Sequence, residues 1–585
     1  MRALVRIYGF VRPYKGMSLG AILLLLGMVG ADLLIPRLTQ RIIDEGIARG
    51  DLQVVLWTSL LMMGLAFVST LFALVNTFLS VRVSQRVAAD LRSALFRKTQ
   101  TFSFANLDRF KTGQLMVRTV SDVNLVETVV AMSLRILTRA PIWAVGSMVL
   151  LVLTSRSLAW ILVGAVPVIV GLVVVFFGRG RAMFMAIQRQ LDRLNNVLQE
   201  NLAGVRVVKA FVREDREQGR FGAENEAYMA KNIRVMTFFA LLGPTLTLLV
   251  NLGVIGVLWF GGRGVAGGTM TVGQVVASIN YVTYALFPLL LVAGMLGMVS
   301  AAEASAARIL EVLDLAPDVE DRPSRPHVPH ASPLGLEVTF EDVHFSYDRD
   351  GGEPVLQGIN LRIEPGQTVA ILGATGSGKS TLIHLIPRFY EPTRGRIRVD
   401  GVDVRELPLD ELRRQVGVVL QESVLFTGTV RDNIRYGRPG ASDEEVVEAA
   451  KAAQAQEFIV ELPQGYDTIV GERGVNLSGG QRQRIAIARA LVVRPRLLIL
   501  DDSTSSVDIE TELKLQEALD RLLAEKAAST RIVVAQRIST VLRADKIVVL
   551  ERGRIVAMGT HGELLGTSPL YREIYQSQLG EAVHV

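Results

Sequence analysis

The stretch GATGSGKST, residues 373–381, constrains the fold of this chain more than any other feature. It matches the pattern G-x-x-x-x-G-K-[ST], in which a buried strand, a glycine-rich loop and a helix follow one another. The neighbouring residues supply this context, because a β-branched apolar run at 368–372 precedes the motif and a helical pattern at 381–389 follows it. The sequence therefore predicts a phosphate-binding loop inside an α/β domain.

In a loop of this kind, backbone N–H groups and the dipole of the following helix face the phosphates of a nucleotide. We expect Lys379 to reach the terminal phosphates and the Ser380 hydroxyl to ligate Mg²⁺. The remaining predicted contacts of the loop with the nucleotide are Gly373, Thr375, Gly376, Ser377, Gly378 and Thr381.

Length and composition indicate at least two domains and a membrane. A chain of 585 residues is too long for one hydrophobic core. Half of its residues are apolar and the mean hydropathy is +0.34, an excess typical of membrane proteins. The absence of cysteine excludes disulfides and thiolate metal sites.

Six apolar stretches have about the length of a helix that crosses a bilayer. They lie at 17–36, 55–80, 140–155, 158–178, 236–261 and 274–300. We therefore expect an all-α six-helix transmembrane domain at 1–315, which begins with an amphipathic elbow segment in the membrane interface. A proline-rich linker at 316–335 and an α/β P-loop nucleotide-binding domain at 336–585 should follow.

The positions of the basic residues predict the topology. Arginine and lysine are concentrated in two long segments, 82–139 and 179–234, which the positive-inside rule assigns to the cytoplasm together with both termini. The expected location is the cell (inner) membrane. Turn-prone residues near 106–113 and 212–222 predict short docking elements at the tips of helices that continue past the bilayer. The net charge of +6 is thereby explained without nucleic acid.

Several polar residues fall inside the apolar stretches. They are candidates for a substrate path, and interhelical packing is the alternative role for each. Asp32 could neutralise a cation, but its place near the outer end of the first stretch lets it simply reach water. The others are Asn76, Asn251, Asn280, Tyr281 and Tyr284.

Two further motifs follow the loop in sequence. The apolar run LLILDD, 497–502, predicts a buried parallel strand that delivers Asp501 to Mg²⁺ opposite Ser380. LSGGQRQR, 477–484, predicts a second phosphate-binding site at a helix N-terminus, formed by Ser478, Gly479, Gly480 and Gln481. One chain cannot easily fold both sites around one nucleotide.

With these motifs and spans in place, the whole chain resembles one half of an ATP-binding-cassette exporter of the multidrug or lipid type. The resemblance implies ATP and Mg²⁺ as ligands, and it implies that the LSGGQ signature completes the ATP site of a partner chain. It also implies that Tyr347 stacks on adenine, that Gln421 contacts Mg²⁺ and water, and that Asp508 lies in the loop crossing between the sites. Gly471, Glu472 and Arg473 resemble the segment that contacts coupling helices.

Two catalytic positions depart from the family pattern. Asp502 stands where the family has the glutamate that activates water, and Gln536 stands where the family has a histidine. A carboxylate set back by one methylene and a side chain that cannot become a cation predict an ATP site that binds but hydrolyses slowly. Because LSGGQ is intact, we expect a heterodimer whose partner supplies the catalytic Glu and His.

The predicted function is a subunit of an ATP-driven export pump for hydrophobic or amphipathic substrates, which include drugs, lipids and peptides. The alternatives are a homodimeric lipid or drug exporter and a membrane subunit that uses ATP as a regulatory ligand. A soluble ATPase acting on nucleic acid is excluded by the six spans.

Overall fold

The computed structural model describes residues 2–319, 321, 332–348, 352–502, 509–525, 529–535 and 538–579. Its internal contacts divide the chain into two compact units. The first consists of Met1–Gln100 and Thr112–Leu315, and the second of Thr101–Lys111 and Ala316–Val585.

The first unit is entirely helical in its described part. Its α-helices, together with the short α4 that belongs to the second unit, are α1 Arg2–Ile7, α2 Lys15–Arg41, α3 Leu52–Gln100, α4 Phe104–Arg109, α5 Thr112–Val117, α6 Val123–Met132, α7 Thr138–Thr154, α8 Arg156–Ala203, α9 Val205–Ala210, α10 Glu214–Ala240, α11 Leu242–Ala266 and α12 Val272–Asp314. A 3₁₀ segment, Tyr8–Tyr14, joins α1 to α2, and π-helical segments continue three of the helices at Ile42–Ile47, Arg118–Asp122 and Ser133–Leu137.

Five continuous helical runs in the described chain have the length and hydropathy of membrane-crossing helices. They contain 43 to 53 residues and span Arg2–Ile47, Leu52–Gln100, Thr112–Thr154, Arg156–Ala203 and Glu214–Ala266. The sixth predicted span lies in α12, a single helix of 43 residues. Since about 20 residues cross a bilayer, these helices extend well beyond it. The prediction of a helical transmembrane domain is confirmed.

Breaks in the two basic segments define the tips of the long helices. In the first, α4 interrupts the helices near residues 101–111, close to the predicted position. In the second, the breaks lie at Gly204 and at 211–213, on either side of α9, so they begin earlier than the predicted 212–222.

Polar contacts tie α12 to other helices of the first unit. Asp44 accepts hydrogen bonds from Thr271 Oγ1 (2.6 Å) and from the Gly273 backbone N–H (2.8 Å) at the start of α12. Near its other end, the Glu303 carboxylate accepts from the backbone N–H groups of Ala3 and Leu4, both at 3.0 Å. These contacts fix both ends of the helix within the unit.

The second unit combines three sheets with surrounding helices. Its strands are β1 Val338–Phe345, β2 Leu356–Ile363, β3 Thr368–Leu372, β4 Arg394–Val399, β5 Val402–Asp403, β6 Val416–Val419, β7 Gly428–Thr429, β8 Ile469–Val470, β9 Leu497–Asp501, β10 Thr530–Val534, β11 Lys546–Glu551 and β12 Arg554–Gly559. Its other α-helices are α13 Lys379–His384, α14 Leu409–Arg414, α15 Val430–Arg435, α16 Asp443–Ala452, α17 Gln456–Glu461, α18 Gly479–Leu491, α19 Ile509–Glu525, α20 Ile538–Val541, α21 His561–Thr567 and α22 Pro569–Leu579.

The six-stranded sheet forms the centre of this unit, with strand order β12-β11-β3-β10-β9-β6. All of its pairings are parallel except that of β11 with β12. Successive side chains of β3 enter two different hydrophobic clusters, because side chains alternate across a strand: Val369 and Ile371 pack on one face, and Ala370 and Leu372 on the other. A sheet buried on both faces explains why its strands are continuous apolar runs.

The α4 segment is held in the second unit by one buried side chain. Asn106 is fully buried, and its Oδ1 accepts from Ser103 N–H (3.1 Å) and from Asp318 N–H (3.0 Å). Its Nδ2 donates to Ala316 O (3.1 Å) and to Asp318 Oδ2 (2.9 Å). A single amide therefore both caps α4 and joins it to residues that follow α12.

Replacing this amide should loosen the α4 attachment. We expect Asn106→Ala to destabilise the second unit by about 1–3 kcal/mol, because the mutation leaves several buried partners unsatisfied. Thermal unfolding of the purified full-length chain would measure this as a lower midpoint. Asn195→Ala, at an exposed position on α8, is the matched control and should change the free energy of unfolding by less than about 0.5 kcal/mol. Equal midpoints for the two variants would contradict this role.

Candidate nucleotide-binding site

The predicted phosphate-binding loop connects β3 to α13, as its sequence context requires. Gly378 has φ of +100°, a left-handed conformation that glycine adopts without strain, and it immediately precedes α13. Gly373 approaches the neighbouring strand so closely that a Cβ atom there would lie 2.2 Å from Leu550 O. These two glycines let the backbone turn tightly and expose its N–H groups.

Lys379 lies over the loop that it follows. Its Nζ donates to Gly373 O and Ala374 O, both at 2.9 Å, and the residue is only 8% exposed. Burial lowers the pKa of the Lys379 ammonium, while the nearby Asp502 and Asp501 carboxylates oppose this effect. The ammonium is thereby kept at the loop by weak carbonyl partners, which the phosphates of a nucleotide can replace with stronger charge-assisted bonds.

Ser380 and Asp501 meet as predicted for a magnesium site. Ser380 Oγ donates to Asp501 Oδ1 at 3.0 Å, and Asp501 is 2% exposed at the end of β9. Burial raises the pKa of the Asp501 carboxyl, against the effects of Ser380 and Lys379. A hydroxyl and a carboxylate oxygen are ligands that Mg²⁺ accepts together with phosphate oxygens. The donor set at the loop therefore fits a nucleotide with Mg²⁺.

The loop also contains a buried polar atom that a ligand could satisfy. Ser377 Oγ is buried and has no hydrogen-bond partner in the described part of the chain. A buried hydroxyl without a partner is costly, so its position in the phosphate-binding loop supports the same assignment. Thr375 and Gly376 complete the turn, and Gly376 also has a positive φ, of +81°.

Tyr347 lies beside the loop helix with its ring accessible. Its hydroxyl is 3.0 Å from Thr381 Oγ1, and the residue is 52% exposed. The Phe345 and Tyr390 rings contact it at centroid distances of 4.9 and 5.3 Å, with steep interplanar angles. The ring is thus supported from behind and remains accessible for stacking, as expected of an adenine contact.

The parallel register places the other predicted catalytic positions at the same sheet edge. Val419 of β6 pairs with Leu500 of β9, so the exposed Gln421 follows its strand next to Asp501 and Asp502. Gln536 follows β10, which lies between β3 and β9, but Gln536 itself is outside the described residues. Asp508 is also outside them.

The main chain of Asp502 is held from two sides. Its N–H donates to Val534 O at 3.1 Å, and its carbonyl accepts from Gln483 Nε2 at 3.3 Å. The residue has φ of +45° and is 9% exposed. Because the backbone is anchored, the reach of this carboxylate is set by the length of the aspartate side chain.

The signature residues form a capped helix N-terminus at α18. Ser478 Oγ accepts from Gln481 N–H at 3.3 Å, and Gln481 Oε1 accepts from Ser478 N–H at 2.9 Å. Gly479 and Gly480 form the first turn of the 13-residue helix. Across the residues that the structure describes, no hydrogen bond joins this turn to the loop at 373–381. The structure therefore brings the loop, Asp501 and Asp502 together but not the signature.

Sequence reasoning missed an aromatic and histidine layer behind the magnesium position. His384 lies one helical turn after Ser380, and its Nε2 is 3.7 Å from Asp501 Oδ2. Phe104 of α4 meets the His384 ring edge-on at 6.4 Å and stacks on Phe389 at 4.3 Å. The spacing of four residues from Ser380 is the signal that could have identified His384.

A second contact of α4 strengthens this layer. Tyr390 Oη donates to Asp108 Oδ2 at 2.7 Å, and burial together with that hydrogen bond raises the pKa of Tyr390. Through Tyr347 on one side and His384 on the other, the Tyr390 ring joins α4 to both flanks of the loop helix.

A multi-span helical unit and a unit with a phosphate-binding loop, a magnesium position and a separate signature helix define an ATP-driven membrane transporter. Comparison with known families supports this class. The family model for the ABC transporter transmembrane region matches residues 18–289, and the model named ABC transporter matches residues 356–505. The chain belongs to the ABC transporter family, and it is an exporter that carries a transmembrane and an ATP-binding domain on one polypeptide.

Relatives match over 85% or more of this chain. The uncharacterized ABC transporter ATP-binding protein YfiB of Bacillus subtilis (strain 168) is 39% identical over 98% of both chains. The ATP-dependent lipid A-core flippase of Syntrophus aciditrophicus (strain SB) is 36% identical over 85% of this chain and 82% of its own. A solved bacterial Atm1-family ABC exporter with ATP bound has a TM-score of 0.81 and 30% identity, and the match covers 96% of this chain and 98% of that one.

The raised pKa of Asp501 predicts the pH dependence of metal binding. Only the deprotonated carboxylate binds Mg²⁺, and a raised pKa means that Asp501 gains its proton at a higher pH than an exposed aspartate. We therefore expect the Mg²⁺-dependent part of ATP affinity to fall as the pH is lowered from about 8 to about 5. ATP titrations of the full-length chain, with Mg²⁺ and with EDTA, would measure it.

A pair of variants controls this experiment. Asp501→Asn should remove both the Mg²⁺ dependence and its variation with pH. Asp342→Asn, at an exposed position in β1, should retain the wild-type profile. A wild-type ATP affinity that is equally sensitive to Mg²⁺ across the whole range would refute the assignment.

Proposed function

We propose that this chain is one subunit of an ATP-driven pump that exports hydrophobic or amphipathic substrates and that pairs with a second, unlike half-transporter. Its own ATP site binds nucleotide and hydrolyses it slowly, and its signature completes the active site of the partner. The names of two relatives support the substrate range: a lipid A-core flippase and the putative multidrug export ATP-binding/permease protein YgaD of Bacillus subtilis, which is 35% identical over 99% of this chain. We place the protein in the inner membrane with both termini in the cytoplasm.

The observation that carries the asymmetry is the anchored backbone of Asp502. Its N–H is bonded to β10 and its carbonyl to Gln483, so the main chain cannot readily advance to compensate for a shorter side chain. The family position for the water-activating carboxylate is a glutamate, whose carboxylate extends one methylene further. A misplacement of about 1 Å can lower a rate by about 10²-fold.

The residues of this chain divide the work of binding. Lys379 and the loop N–H groups bind the phosphates, Tyr347 stacks on the base, and Gln421 orients water at the sheet edge. Ser380 and Asp501 would hold Mg²⁺, which supplies charge neutralisation on the phosphate oxygens. Asp502 is too short to remove a proton from water efficiently, and Gln536 can donate a hydrogen bond without becoming a cation.

The intact signature supports a partner. Ser478 and the Gly479 and Gly480 amides form an anion-binding helix N-terminus that, in the described residues, makes no hydrogen bond to the chain's own loop. In the family, such a signature acts on the nucleotide held by the other subunit. A partner with a catalytic Glu and His would use it for rapid hydrolysis, and closure of the two sites would drive the transmembrane helices between their states.

The weakened site favours one alternative. A membrane subunit that uses ATP as a regulatory ligand would also bind nucleotide without rapid hydrolysis. ATP-dependent uptake into sealed inside-out vesicles separates the two functions, since the regulatory subunit would accumulate no substrate.

Restoring the family residues should restore hydrolysis. We expect the double substitution Asp502→Glu and Gln536→His to raise the ATPase rate of the purified full-length chain by about 10²-fold, the lower end of a general-base contribution. Steady-state phosphate release at saturating ATP would measure the rate. The matched control is Asp410→Glu with Gln357→His, which makes the same changes outside the site. A wild-type chain that alone hydrolyses ATP at the rate of the double variant would disprove the weakened site.

The subunit composition provides an independent test. We expect the tagged chain, purified from its native membranes in mild detergent, to contain a second half-transporter in equal amount. Mass spectrometry should identify the second half-transporter, whose sequence should have Glu after its magnesium-binding Asp and His after the following strand. Recovery of the tagged chain paired only with itself would contradict the heterodimer and leave the homodimeric exporter.

A further inference from the structure

An ion pair lies between three helices of the first unit. Arg139 Nη2 of α7 donates to Asp32 Oδ2 of α2 at 3.2 Å, and Ser69 Oγ of α3 donates to Asp32 Oδ1 at 2.6 Å. Asp32 therefore does not simply reach water as predicted from its sequence position; its side chain is 19% exposed and both of its oxygens are bonded.

The pair lies deep in the membrane-crossing part of the unit. Asp32 lies fifteen residues before Ile47, where its helical run ends, and Arg139 lies fifteen residues before Thr154, where its run ends. Fifteen residues correspond to about 22 Å along a helix. Both ends lie near the start of α12, because Asp44 accepts from Thr271 Oγ1 and Thr154 O accepts from Gln274 Nε2. Because the hydrocarbon core is about 30 Å thick, we infer that the pair lies within the bilayer. Arg139 is the last residue of the segment 82–139 that is predicted to be cytoplasmic, and in the structure it lies within the helical run Thr112–Thr154.

Two aromatic rings adjoin the arginine. The Arg139 guanidinium lies 4.0 Å from the centroid of the Trp143 ring, one turn further along α7. The Trp143 ring in turn stacks on Tyr284 of α12, with centroids 5.5 Å apart and an interplanar angle of 9°. A cation over the first ring and a second ring parallel to it form a continuous surface that is charged at one end and apolar at the other.

The hydrogen-bond donors at this surface outnumber their acceptors. Arg139 Nε and Trp143 Nε1 are buried and have no hydrogen-bond partner among the described residues. The Arg139 side chain as a whole is still 34% exposed. A charged side chain at this depth faces a polar cavity or the bundle interior rather than lipid, because exposure to hydrocarbon is costly. The unmet donors therefore point to a ligand that brings acceptors.

The sequence near the pair carries further positive charge. Arg37 follows Asp32 by five residues on α2, and Arg135 precedes Arg139 by four in the π-helical segment before α7. The next carboxylates along these two helical runs, Asp44 and Glu127, are each twelve residues away. The two stretches 32–37 and 135–139 together carry three arginines and one carboxylate, an excess of positive charge that favours an anion.

We propose that Arg139, Trp143 and Tyr284 form a substrate site for amphipathic organic anions. The acidic group bonds to the Arg139 guanidinium and to Trp143 Nε1, and the apolar body packs against the Trp143–Tyr284 stack. Asp32, which accepts a hydrogen bond from Ser69, holds the guanidinium in place and compensates part of its charge when no substrate is bound. The inference rests on the proposed export function, and it does not depend on the pairing of unlike chains.

Equilibrium binding to the full-length chain in lipid nanodiscs, without ATP, tests the site. The probes are 4-(1-pyrenyl)butanoate and 4-(1-pyrenyl)butyltrimethylammonium, which share an apolar body and differ in the sign of the head group. We expect the anion to bind more tightly than the cation. Arg139→Gln should weaken anion binding by about tenfold or more, the effect of one charge-assisted hydrogen bond. Arg156→Gln, at an exposed position at the start of α8, is the matched control.

Asp32→Asn distinguishes this site from a purely structural ion pair. The substitution should tighten anion binding, because it frees the Arg139 guanidinium and removes a negative charge that repels the anion. A purely structural ion pair predicts no increase in affinity. The proposal would be overturned if the cation bound more tightly than the anion and Asp32→Asn abolished the binding of the cation. It would equally be overturned if Arg139→Gln and Asp32→Asn both weakened both probes and their combination restored them. Because binding is measured without ATP, a failure of ATP-driven uptake by vesicles would count against the export function and not against this site.

Discussion

The nucleotide site depends on a single geometric constraint, the common direction of β3, β10, β9 and β6. Parallel strands end at one edge, so the phosphate-binding loop after β3 and the Asp501–Asp502 pair after β9 meet there although more than a hundred residues separate them. In β10, which lies between β3 and β9, Val534 O also accepts a hydrogen bond from the Asp502 N–H. The same constraint that assembles the site therefore limits how far the Asp502 carboxylate can reach.

Burial gives the assembled groups their chemistry. Lys379 and Asp501 are both buried. Burial lowers the pKa of Lys379 and raises the pKa of Asp501, and so favours the neutral form of each. Each charge is partly compensated by the other, so a phosphate and a metal ion complete the arrangement electrostatically. Behind these groups lies the layer of Phe104, His384 and Tyr390. It packs α4 against α13, although α4 lies in sequence between two long helices of the first unit.

Much of the fold and of the nucleotide site could be predicted from local pattern. Lys379, Ser380 and Asp501 were assigned from their motifs and occupy the predicted places, because strand, loop and helix signals act over fewer than ten residues. Tyr347 and Gln421 were assigned only through the family resemblance; the structure places Tyr347 against Thr381 and Gln421 after β6. His384 was missed: its spacing of four residues from Ser380 places it on the same face of the helix, but that spacing alone does not show that Asp501 faces it. The reach of Asp502 could be suspected from its identity, but its backbone anchors could not.

The sequence by itself determined the elements: six apolar stretches, a P-loop, a buried strand ending in two aspartates and a signature at a helix N-terminus. Periodicity, turn chemistry and motif spacing are local properties, so they can be identified without knowing what packs where. Only the tertiary structure decided which polar groups meet. Asp32 bonds Arg139 across 107 residues, and Asn106 bonds Asp318 across 212. Such pairs depend on the rotation and depth of whole helices, which result from packing of the entire unit and leave no mark in any short stretch of sequence.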